Sequence, residues 1–141
     1  MTESPTPFAY LGKYALILVG GIAALMVANA VMLGTIGVPV PSGAATIIPP
    51  MIAALVVGQT WGKDAGALPD SRAAWRFAAM AAGVFLAVQL PLTLFGLSAV
   101  GPAGQGVFTF AAILLLVTTA IVLLANRWFV SVGAKGAIKQ R

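Results

Sequence analysis

Reactive side chains are scarce in this chain of 141 residues, which has three carboxylates, Glu3, Asp64 and Asp70, and neither His nor Cys. Without His it lacks the commonest proton shuttle and the usual zinc and haem ligand. Without Cys there is no disulfide, thiol nucleophile or thiolate metal site, and the redox compartment stays open. No phosphate-binding loop, dinucleotide fingerprint, nucleophile elbow or metal motif is present. Acid/base and metal chemistry have little to draw on, so no catalytic, metal or cofactor site is assigned. The chain is expected not to be an enzyme. What remains is uncharged polarity inside apolar sequence, at Asn29, Thr46, Gln89 and Thr93. Amides and hydroxyls in such places either tie helices together or line a path for a neutral solute.

The elements that carry these groups follow from composition. The chain is 60% hydrophobic and only 8% charged, where a soluble domain runs near a quarter charged. A chain this short still exposes much of its surface, so the apolar excess cannot be hidden in a core. A soluble globule, a disordered tail and a nucleic-acid module are all excluded. The net charge of +5 comes from only eight Lys and Arg, and their placement fits a membrane surface better than a nucleic acid.

No charge occurs in the 49 residues from Tyr14 to Gly62, nor in the 50 from Phe77 to Asn126. One span needs about 20 apolar residues, so each block holds two spans and a turn. The turns are Gly37–Gly43 and Gly96–Gly106, where Gly and Pro cluster between apolar runs. The expected fold is an all-α membrane bundle of four helices, at about 14–35, 42–61, 73–95 and 107–126. Residues 1–12 are expected to form a mobile tip and 127–141 a basic tail, the whole being one domain. Lys13 followed by an apolar run and Ala28-Asn29-Ala30 imitates a signal peptide. The run continues through Val31-Met32-Leu33 and is long enough to span, so an uncleaved first helix is expected.

Four spans put both termini and the middle loop on one side, and every Lys and Arg falls there. The basic face comprises Lys63, Arg72, Arg76, Arg127, Lys135 and Lys139, with Lys13 and Arg141 besides. The positive-inside rule makes that side cytoplasmic, and so lopsided a bias argues against dual topology. The basic residues are expected to meet anionic headgroups, with docking of a partner as the alternative. Trp61, Trp75 and Trp128, with Tyr10 and Tyr14, flank the same span ends and are expected to be interfacial anchors. Asp70 or Ser71 is the expected N-cap of the third helix.

Helices in lipid associate by close packing of small residues. Gly20, Ala24 and Ala28 recur every four residues in span 1, and Ala78 and Ala82 do so in span 3. Span 4 is bulky nearly all round and is expected to face more lipid. At about 1.5 Å per residue, Asn29, Thr46 and Gln89 all lie about 20–22 Å from the basic boundary. Pro49, Pro50 and Pro91 fall in the same layer and are expected to break or kink spans 2 and 3. The carbonyls thus freed, of Ala45, Thr46 and Ala87, need partners, and the candidates are Asn29, Thr46, Gln89 and Thr93. Interhelical glue is the simpler reading of this layer. A polar-lined solute path is the sharper one, although no ionisable relay is available to a proton-coupled carrier.

Several short motifs resemble those of an uncharacterised family of small four-span proteobacterial inner-membrane proteins, a domain of unknown function. They are Pro41-Ser42-Gly43-Ala44, Gly58-Gln59, Gly66 with Leu68-Pro69, Arg76, Asn126, and Gly133-Ala134-Lys135 with Lys139. The resemblance covers span 2 to the C-terminus and departs at Ala67, where a basic residue is expected, and at Pro49-Pro50. It implies four spans in a bacterial inner membrane and no particular activity. The chain does not resemble small multidrug carriers, since span 1 has no glutamate, nor dual-topology fluoride channels.

The functional expectation is a non-enzymatic membrane protein acting by association, as an accessory subunit of a larger complex or as a homo-oligomer. The rival is a small channel or facilitator for an uncharged or weakly polar solute. A lesion-forming, holin-like protein is a third reading, suggested by size and the basic tail.

Overall fold

The computed structural model describes residues 6–99, 101–102 and 104–140. A 3-10 turn, Pro7–Tyr10, leads into α1 (Leu11–Thr35), followed by α2 (Ser42–Ala65), α3 (Ser71–Ala99) and α4 (Gln105–Lys139). All four helices are long and apolar enough to cross a membrane, which suggests a multi-pass membrane protein. Their ends have local causes. Gly66 adopts φ 63° after α2 and returns its N–H to the Gly62 carbonyl at 3.1 Å, a left-handed stop that glycine makes without strain. Asp70 Oδ1 accepts the Ala73 N–H at 2.6 Å, so Asp70 rather than Ser71 caps α3.

Three expectations about the elements are corrected. Residues 1–12 are not one mobile tip. Residues 1–5 lie outside the described part, but Pro7–Tyr10 is a helical turn and Tyr10 is buried. The segment 127–141 is not a separate tail, because α4 runs unbroken to Lys139. Pro49, Pro50 and Pro91 are not helix breaks, since α2 and α3 continue through them. Each leaves out one backbone donor without ending its helix.

The helices pack in a ring: α4 lies against α2 and α3, and α1 lies against the same two from the other side. Lys13 Nζ donates to Thr60 Oγ1 at 2.7 Å, Tyr10 to Asp64 Oδ2 at 3.1 Å, and the Arg127 guanidinium lies 4.3 Å over the Trp75 ring. These contacts gather the start of α1, the end of α2, the start of α3 and the later part of α4 at one basic end. The core sits in that half. Tyr14, Leu18, Val57, Phe77, Phe85 and Val130 are all less than 2% exposed. Toward the other end nothing is buried beyond Leu18 on α1 or Phe85 on α3, before Pro49 on α2, or before Val122 on α4.

The tightest seam joins α2 and α4. A Cβ at Gly58 would run into the Val130 carbonyl, and one at Gly133 into the Leu55 carbonyl. At Gly62 it would come within 2.6 Å of the Ala134 carbonyl. The two backbones therefore touch, which is how helices gain packing where burial in lipid offers no drive. This corrects the expectation that the fourth helix ends at Asn126, while its apolar stretch up to that point is exposed almost throughout, as expected of a lipid-facing span. Its later turns, through Ala137, are buried against α2.

Three interfacial anchors are also reassigned. Trp61 and Tyr10 are both buried, their rings 5.1 Å apart. Tyr14 is fully buried and meets Phe77 edge-on at 5.7 Å. Trp75 and Trp128 remain exposed at the basic end, as interfacial rings should.

Candidate functional site: a polar-lined cleft in the open half

Each residue of the expected polar layer has a definite place. Asn29, on α1, accepts the Val40 N–H through Oδ1 at 2.8 Å and so clamps the α1–α2 connection. Thr46 donates its hydroxyl to the Ser42 carbonyl one turn back, at 2.8 Å. Gln89 and Thr93, on α3, make no hydrogen bond among the described residues. The layer is therefore not a closed network, and the amides do not serve the carbonyls that the prolines free. Pro49 and Pro50 are buried in α2, and Pro91 is exposed on α3.

The layer does line empty space. A cavity of about 410 Å³ opens between α1, α2 and α3, with Asn29, Thr46 and Gln89 on its wall. A second, of about 290 Å³, lies between α2, α3 and α4, with Thr46, Gln89, Thr93 and Thr118 on its wall. Ser42, Thr46 and Gln89 border both, so the two are lobes of one cleft on either side of Gln89. Their sizes lie at the lower end of the range for small-molecule sites, about 300–1,000 Å³. The cleft exists because α2 and α3 stand on opposite sides of the helix ring and nothing large fills the gap between them in this half. Toward the basic end it is closed by fully buried side chains, Leu18, Phe85 and Val57 among them.

Below that floor lies a pair that sequence reasoning missed as a unit. Asn126 is fully buried; its Nδ2 donates to the Tyr14 hydroxyl at 3.0 Å, and its Oδ1 stands 3.3 Å from the same hydroxyl as acceptor. The pair joins α1 to α4 across the middle of the ring. Its signal was available: each residue ends one of the two uncharged blocks, at the same expected level.

The small-residue stripes divide. Ala78 and Ala82 are buried. Gly20, Ala24 and Ala28 are exposed, and open space surrounds Gly20. The α1 glycine that admits a neighbour is Gly21, where a Cβ would lie 3.1 Å from Pro49 Cβ. The α2–α4 seam was also missed, although Gly58-Gln59-Thr60-Trp61-Gly62 has the Gly-x-x-x-Gly spacing that close helix pairs favour.

On the basic face, Arg72, Arg76, Lys135 and Lys139 are exposed, as is Lys63. Arg127 is half-buried against Trp75. Both described carboxylates hold structural bonds, Asp64 to Tyr10 and Asp70 to the α3 N-terminus. Glu3 and Arg141 lie outside the described residues. No family model, curated protein or solved structure matches the chain. Function must therefore be read from this geometry.

Proposed function

We propose that the chain is a non-enzymatic protein of a bacterial inner membrane that acts through helix association, as an accessory subunit or a homo-oligomer. Both termini and the Gly66–Asp70 connection face the cytoplasm, since the Lys and Arg all fall at that level. Inner-membrane origin rests on the resemblance of the span 2 to C-terminal motifs. The observation that carries the reading is the uncovered ridge of Gly20, Ala24 and Ala28 on α1, where a neighbouring backbone can approach closely. The absence of His and Cys from the sequence favours association over chemistry.

The test is the native mass of tagged protein extracted gently from its host membrane, with co-purifying chains identified. A particle larger than the 14.3 kDa chain is expected. Gly20→Leu with Ala24→Leu should reduce it to the single chain without loss of helicity. A wild-type protein that runs as a lone chain would overturn the reading.

The facilitator reading draws on a different observation, the unpaired Gln89 in a polar-lined cleft. Against it stands the buried floor, which leaves no continuous path. Swelling of liposomes in glycerol separates the two: flux above that of empty vesicles, lost in Gln89→Leu, would favour the facilitator.

A further inference from the structure

Two regions offer groups that the association reading leaves unused: the basic face around Arg127 and Trp75, and the cleft around Gln89. The basic face repeats what any positive-inside protein presents. The cleft goes further, because its chemistry constrains an occupant.

Gln89 carries two N–H donors and a carbonyl acceptor at the common wall of both lobes, with no partner among the described residues. Thr93 beside it adds a hydroxyl that has no partner among them either. By helical rise Gln89 lies about 20 Å and Thr93 about 25 Å from the basic boundary, so in a bilayer both would sit in its outer half. Unpaired polar groups there are costly, and a ligand that both donates and accepts relieves them. No charged side chain lines either lobe. An ionised ligand would carry an uncompensated charge in low dielectric, so the occupant is neutral. Besides the polar Asn29, Ser42 and Thr46, the larger lobe has an apolar wall formed by Ile22, Leu25, Met26, Leu92 and Phe95. That surface suits a hydrocarbon chain attached to the polar end.

We propose that the cleft binds one uncharged, single-chain amphiphile whose hydroxyl and ester oxygens meet Gln89 and Thr93 while its chain lies along the α1–α3 wall. This site does not depend on the association reading, and the protein can form the one without the other.

The experiment uses the full chain in phosphatidylcholine nanodiscs with tritiated monoolein as the probe. Saturable binding of one monoolein per chain is expected, displaced by unlabelled monoolein and not by oleate. Gln89→Leu should weaken it about tenfold, the loss of a buried polar contact, with thermal stability unchanged. Thr93→Val should weaken it about threefold and serves as the second variant should Gln89→Leu unfold. Wild-type uptake no greater than by empty nanodiscs, equal competition by oleate, or full binding in both variants would overturn the proposal. So would a Gln89→Leu protein that changes native mass while binding monoolein normally, because the cleft would then be a protein contact.

Discussion

The two halves of the bundle are built on opposite terms. In the basic half, α2 and α4 touch backbone to backbone at Gly58 and Gly133, and aromatic rings fill the rest. Its central polar pair, Tyr14 with Asn126, is fully buried and hydrogen-bonded. In the open half the helices carry no buried side chain, and the polar residue at its centre, Gln89, has no partner among the described residues. In a membrane, packing and satisfied hydrogen bonds hold helices together. The basic half therefore supplies the stability, and the open half is left free to accept something. A protein in need only of stability would have filled that gap.

Three substitutions sharpen this contrast within the basic half. Gly133→Val forces new atoms into the Leu55 carbonyl, which belongs to backbone and cannot swing aside. Destabilisation of about 3 kcal/mol or more is expected, the upper end of overpacking, read as loss of cooperative thermal unfolding in detergent. Gly20→Val, made in space left open within the chain, should leave the unfolding curve of the separated single chain in place. If both variants behaved alike, the division into halves would fail.

Next in size is Tyr14→Phe, which keeps the ring against Phe77 but removes the hydroxyl that pairs with the Asn126 amide. A buried amide left without its partner costs about 1–2 kcal/mol, at the upper end of values for polar pairs in membrane bundles. Tyr14→Phe with Asn126→Leu should recover part of that loss, a non-additivity that a double-mutant cycle would detect. Smaller again is Trp75→Leu. It removes the ring beneath Arg127, a pair near the surface worth about 0.5–1 kcal/mol. The expected sign is a slight fall in the unfolding midpoint.

Much of the fold was legible because charge and apolar length are coarse, additive signals. Two uncharged blocks with a Gly/Pro-rich turn in each lead directly to four helices, and Ser42 and Thr35 end theirs where expected. That Asn29, Thr46 and Gln89 come to one level of the bundle was legible too, since helical rise is constant and all three border the cleft. Rotation about the helix axis was not. A stripe of small residues looks the same whether it faces a neighbour or lipid, so Gly20 and Gly58 were indistinguishable until their surroundings were known. Proline was misread for a related reason: Pro49 and Pro50 are tolerated inside α2, where Pro49 also packs against Gly21. The helical end of α4 was hidden because Lys135 and Lys139 resemble a solvated tail, whereas Gly133, Ala134 and Ala137 on its other side are buried.

The smallest expected effect decides most about the open half. If Gln89 were glue, Gln89→Leu would destabilise the bundle as Tyr14→Phe does, because a bonded amide would be lost. The Gln89 side chain makes no bond among the described residues, so a leucine there removes no contact that holds the bundle. The unfolding midpoint of the purified protein should therefore change by no more than about 0.5 kcal/mol, the sign leaning toward stabilisation. A loss near that of Tyr14→Phe would mean that the open half closes on itself in the membrane. A neutral or stabilising result would mean that the fold gains nothing from Gln89, as expected if that side chain serves an occupant of the cleft.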